Sequence, residues 1–187
     1  MQKIMFNEPF GLQDASIDGS KTMTRRAVPE RTQRDGLVYA ANHPNDEKAY
    51  ERYLLEHAPY KVGEVVAIAQ RYRDIVPPLD NKNIVWTGRG WNNKMYVRAD
   101  LCKRHVEVTG VDYQMLWDIT DEDCMREGII KIATPHLPVK EHYTYINSGM
   151  ISETPKAAFA HLIRRLCGDS YWESDPYNYV FSFILKD

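Results

Sequence analysis

Hydrophobic and polar positions along this chain fall into short segments whose periods can be read one by one. Lys3-Ile4-Met5-Phe6 predicts a short strand, and Pro9 to Asp18 a short helix with Phe10, Ala15 and Ile17 turned inward. From Pro29 to Asn45 charge, Gly and Pro predominate, so a loop or insertion is expected there. Between Asp46 and His57 the residues Tyr50, Tyr53, Leu54 and His57 recur at spacings of three and four, which predicts a helix with one semi-apolar face. Val65 to Ala69 is almost wholly apolar, the pattern of a strand covered on both faces, and is expected to be central. It runs into Gln70-Arg71-Tyr72-Arg73, which places polar side chains at its mouth, and Pro77-Pro78 opens a loop.

Further on, His105 to Leu116 alternates but changes face around Thr109-Gly110, the mark of a β-bulge. Thr120 is placed to cap a two-turn helix whose first turn holds Asp121, Glu122 and Asp123, with Asp123 able to close a capping box and Gly128 to stop the helix. Lys131 to Ser152, with Pro135 and Pro138, reads as an irregular excursion. Thr154-Pro155 then opens a helix with Phe159, Leu162, Ile163 and Leu166 as its apolar stripe, read as core, and Gly168 as its end. After a turn at Trp172 to Pro176, Tyr177, Tyr179, Phe181, Phe183 and Leu185 alternate along a last strand. This order predicts an α+β fold, with a mostly antiparallel sheet or small barrel, in one domain across residues 1–187.

Composition narrows the setting more than the function. Hydrophobic content of 43% with 27% charged residues in 187 residues is ordinary for a soluble domain, and no apolar run is long enough to span a bilayer. The start turns polar too soon for a signal peptide, so a cytoplasmic location is expected. Cys102, Cys124 and Cys167 show no C-x-x-C spacing and the six histidines are scattered, so neither a metal nor a cofactor is expected. A net charge of −2 argues against coating nucleic acid by bulk electrostatics and leaves room for a local basic groove.

Polar chemistry is densest at Gly19-Ser20-Lys21-Thr22-Met23-Thr24-Arg25-Arg26. A glycine that ends a helix leaves Lys21 in a turn, and extended chain beyond it puts Thr22, Thr24 and Arg26 on one face, with Met23 and Arg25 on the other. Such a stretch reads either as a helix stop followed by a solvated basic strand or as an anion or nucleophile site built from an amine, hydroxyls and guanidinium groups. Glu127 is anomalous in a different way: a carboxylate in the last turn of a helix faces the negative end of the dipole and calls for a cation. Trp86 to Tyr96, including Arg89 and Trp91, interleaves aromatic, glycine and basic residues. That composition suits either a hairpin packed back on the sheet or a platform for bases.

Four features in this order resemble the ASCH family of the PUA-like superfamily, small β-barrels with helices at the rim. They are Gly19-x-Lys21-x-x-Thr24-x-Arg26; Lys61-Val62-Gly63-Glu64-Val65-Val66; Ile119-Thr120-x-Glu122-Asp123-x-x-x-Glu127-Gly128; and the aromatic-turn-Pro-strand of Trp172 to Phe183. The last is similar to the close of longer, often phage-associated or Bacteroides-like members. The resemblance implies a PUA-like small mixed barrel with flanking helices, carrying insertions near 29–58 and 131–152. It further implies an amidohydrolase that removes acetyl from acetylcytidine-type nucleosides, with Lys21, Thr24 and Glu127 as the catalytic set. Thr22, Arg25, Arg26, Gln70, Arg71, Tyr72, Trp86, Arg89 and Trp91 are the candidate contacts to a nucleoside or RNA. Gln70 stands where longer members often carry glutamate. The alternative is a PUA-like module that binds RNA or a nucleotide without turnover.

Overall fold

The structure, a computed structural model, describes residues 1–76 and 88–186. In chain order its elements are β1 (Lys3–Ile4), α1 (Leu12–Ile17), β2 (Met23–Ala27), α2 (Glu30–Ala41), α3 (Ala49–Glu56), β3 (Val65–Ile68), α4 (Tyr72–Ile75) and α5 (Arg89–Asn92). They continue with β4 (His105–Met115), α6 (Asp121–Arg126), β5 (Ile130–Ala133), β6 (Glu141–Thr144), α7 (Pro155–Cys167), α8 (Asp169–Glu173) and β7 (Tyr177–Leu185). Five strands form one sheet in the order β1-β3-β4-β7-β2, parallel only between β1 and β3, while β5 and β6 form a separate antiparallel pair. The fold is therefore α+β, and among the described residues the sheet is open, with β1 and β2 at its edges.

The middle strand is β4, not β3. With eleven residues, β4 is long enough to pair with β3 on one side and with β7 along the other, and its register shifts between Val108 and Gly110, where the bulge was expected. The apolar run of β3 reports burial on both faces, which a strand one place from the edge also has when helices and loops cover it. Val66, Ala67, Ile68 and Ala69 are all fully buried. One large core joins the sheet to its helices: Ile4, Phe6, Val66, Val106, Phe181 and Phe183 meet Leu12, Leu54, Phe159 and Leu162.

Several expected irregular stretches are regular. Residues 29–45 contain α2, whose exposed Leu37 and Val38 supply no inward stripe. Gly36, which reads as a loop signal, is its one buried residue, and a Cβ there would stand 3.0–3.1 Å from the rings of Tyr50 and Tyr53. The excursion at 131–152 contains most of the β5–β6 pair, and the turn before β7 starts within the end of α8, at Trp172 and Glu173. Residues 88–96 form α5 and a 3-10 turn at Lys94–Tyr96 rather than a hairpin. The Pro77-Pro78 loop and Trp86 lie outside the described residues. Among the described residues no helix is long and apolar enough to cross a membrane.

Candidate active site

Strand β2 pairs on one side only, with β7, from Met23↔Ser182 to Ala27↔Asn178. The turn before it has Gly19 at φ +81 and is tied to α1 by the Lys21 backbone N–H donating to Ala15 O at 2.8 Å. The open side of β2 is met by the end of α6, where the Thr22 N–H donates to Arg126 O at 2.9 Å. Helix α6 forms as its sequence suggests, with Thr120 Oγ1 accepting from Asp123 N at 3.1 Å. Gly128, at φ +105, then turns the chain away, and a Cβ there would meet Leu12 Cδ2 at 3.0 Å, so glycine satisfies both the backbone and the space. Asp123 does not close a capping box, because its carboxylate is held by Arg25 at 3.2 Å and Arg126 at 3.4 Å.

This packing brings together groups a hundred positions apart. Lys21 Nζ donates to Glu127 Oε2 at 2.7 Å, to the Glu127 carbonyl at 2.7 Å and to the Met23 carbonyl at 2.6 Å. Three acceptors match the three protons of an ammonium, and two of them belong to the C-terminal end of α6, so the cation that Glu127's position calls for is Lys21. The other carboxylate oxygen, Oε1, accepts from Arg25 Nη1 at 3.0 Å. Lys21, Thr24, Arg25 and Glu127 are 2%, 4%, 8% and 5% exposed, so these charges interact with little screening. Burial pushes the Lys21 ammonium below its ordinary range against the pull of Glu127, while Arg26 and Arg25 add to the push. The resulting amine is held as an ammonium by its acceptors yet gives up a proton more readily than an exposed lysine.

Lys21, Thr24, Arg25, Arg26 and Glu127 all line one cavity of about 250 Å³. Among the described residues the Thr24 hydroxyl has no hydrogen-bond partner and Arg26 no carboxylate partner. Arg26 Nη2 donates to the Met5 carbonyl, and its guanidinium lies 5.9 Å from the Phe6 ring centre. The facing wall is aliphatic and aromatic: Phe159, Leu162, Ile163 and Leu166 of α7. The stripe read as core thus also forms one wall of the cavity, with Cys167 at its end.

The other sequence candidates are placed elsewhere. The Thr22 hydroxyl accepts from Arg126 Nε at 3.4 Å, joining β2 to α6. Gln70 turns its oxygen to the Lys103 N–H at 2.8 Å, and Arg71 is paired with Glu8 at 2.6 Å and Asp74 at 2.9 Å. Tyr72 packs on Gly90, Arg89 lies over the Tyr96 ring at 5.6 Å, and Trp91 lines a separate cavity with Tyr72, Val76 and Gly88. Sequence reasoning missed the tie between Arg25 and Glu127. Its trace is the acidic pair Asp123 and Glu127, one helical turn apart on α6 and so on one face, opposite a strand position that alternation gives to Arg25. Among the described residues no group of three or more His, Cys, Asp or Glu is arranged to hold a metal ion. No family model, no curated protein and no solved structure matches this chain.

Proposed function

We propose that this chain is an amidohydrolase of the ASCH type that removes the acetyl group from an acetylated nucleoside, acetylcytidine-like, through Lys21, Thr24 and Glu127. The observation that carries the reading is the buried Lys21–Glu127 pair on the wall of a cavity that also presents the unbonded Thr24 hydroxyl. Amide hydrolysis needs a nucleophile, a proton acceptor and positive charge beside the developing oxyanion. The Thr24 oxygen adds to the acetyl carbonyl, and its proton passes through the lysine amine to the Glu127 carboxylate. Arg26, a cation without a carboxylate partner, faces the negative charge that forms. Collapse returns a proton to the leaving exocyclic nitrogen and leaves an acetyl ester on Thr24, which water cleaves to acetate. The ammonium form of Lys21 donates and the neutral form accepts, so its lowered pKa and the adjacent carboxylate serve both halves of the cycle.

Size supports a single base over an RNA strand, since 250 Å³ is at the small end of ligand cavities. Of the residues expected to grip RNA, Arg71 and Arg89 are engaged in internal contacts. A PUA-like barrel also belongs to this proposal, and what supports it is that Arg26 on one edge strand reaches the Met5 carbonyl, just beyond β1 on the other edge, as a sheet curling towards closure would allow. Purified protein is expected to release acetate from N4-acetylcytidine, and Thr24→Ala to abolish release with an unchanged unfolding midpoint. Absence of acetate after prolonged incubation at high enzyme concentration would make the substrate wrong.

A further inference from the structure

We infer that Arg25 is a positioning residue of this site, one that acts on the substrate only through Glu127. Its guanidinium is distributed over four acceptors: Glu127 Oε1 at 3.0 Å and Asp123 Oδ2 at 3.2 Å at α6, Gln114 Oε1 at 2.9 Å on β4, and the Met23 sulfur at 3.4 Å on its own strand. Register places Arg25 and Gln114 on the same face of the sheet, since Arg25 pairs with Val180 and Gln114 with Asn178 two residues away. Thr24 and Arg26 take the opposite face. Although Arg25 also lines the cavity, its guanidinium is engaged by these side chains, and it fixes the carboxylate that Lys21 meets with its other oxygen.

The orientation is informative because it is not the best solvated one. Arg25 Nε is buried with no acceptor among the described residues, although an unpaired buried N–H is unfavourable. What the pose achieves is one guanidinium nitrogen on Glu127 and the other shared by Asp123 and Gln114, a fork that a lysine cannot reproduce. A carboxylate held at both oxygens by two different cations has one orientation, and a proton relay between Thr24, Lys21 and Glu127 depends on that orientation.

Two measurements test this. The kinetic one rests on the amidohydrolase reading: Arg25→Gln is expected to lower kcat for acetylcytidine on the order of 100-fold, as misplacement by about 1 Å does, with KM within about twofold. Arg25→Lys should recover roughly tenfold of that loss by keeping the charge. A raised KM at unchanged kcat would make Arg25 a substrate contact and overturn the inference. The second measurement needs no turnover. A buried ammonium with three acceptors gives a resolved proton–nitrogen NMR signal, and the Lys21 Nζ signal is expected to shift in Arg25→Gln and move back towards its original position in Arg25→Lys. If Arg25→Gln does not fold, Gln114→Met, which removes one anchor of Arg25 without touching the cavity, is expected to displace the same signal. A Lys21 signal unmoved by every folded variant would refute the inference even if acetate is released. A shifted signal without any turnover would uphold Arg25 and sink the substrate instead.

Discussion

Replacing Lys21 by Met removes an ammonium but keeps most of the buried chain volume, so it isolates the charge. The variant leaves Glu127 Oε2, the Glu127 carbonyl and the Met23 carbonyl without their shared donor. Breaking a buried ion pair by deleting one partner typically destabilises by about 3–5 kcal/mol, because a carboxylate remains in low dielectric without its counter-charge. Here Arg25 still holds Oε1 at 3.0 Å and the cavity admits water to the orphaned oxygens, which points to the lower end, about 3 kcal/mol. In a chain of 187 residues that corresponds to a fall in Tm of roughly 6–12 °C. Glu127→Gln should also destabilise, and the double variant Lys21→Met/Glu127→Gln should lose at least about 1.5 kcal/mol less than the sum of the two. Urea unfolding followed by circular dichroism measures all three. Additivity within about 0.5 kcal/mol, or a single variant as stable as the parent, would show that the pair is not the buried, coupled unit described above.

The α7 stripe and the thiols give two further checks. Leu162 is 1% exposed and packs in the main core, so Leu162→Ala should destabilise by about 2–5 kcal/mol; an unchanged urea midpoint would contradict the packing. Cys167 is exposed at the cavity rim, whereas Cys102 and Cys124 are buried, so iodoacetamide should modify Cys167 first and acetylcytidine should slow it. Partial desolvation by the surrounding rim raises the accessible Cys167 thiol above its ordinary pKa, and burial pushes Cys124 up to about 12. The Cys167 rate should therefore keep rising with pH beyond the range where an exposed thiol levels off, because the thiolate is the reacting form. Peptide mapping that finds Cys124 modified first in the native protein would refute the buried position of α6.

What could be read from the residues alone was whatever local chemistry decides. Thr120 and Gly128 bound α6, Thr154 and Pro155 start α7, alternation marks β7, and Gly110 announces the bulge in β4, because caps, turns and period two depend on neighbours within a few positions. The same logic failed at α2, where an exposed helix has no apolar stripe to show and its glycine is needed by the rings of Tyr50 and Tyr53. It failed again for β3, since a run of apolar residues reports coverage of both faces and says nothing about how many strands lie beyond. The request of Glu127 for a cation was local and legible, as was the concentration of polar groups from Lys21 to Arg26. Which cation answers, and at which oxygen, was decided by the docking of α6 against the open edge of β2. That docking brings Lys21 and Arg25 to opposite oxygens of one carboxylate and leaves Thr24 and Arg26 facing the α7 wall. Contacts across more than a hundred positions arise from the packing of elements, and no period or cap in the chain encodes them.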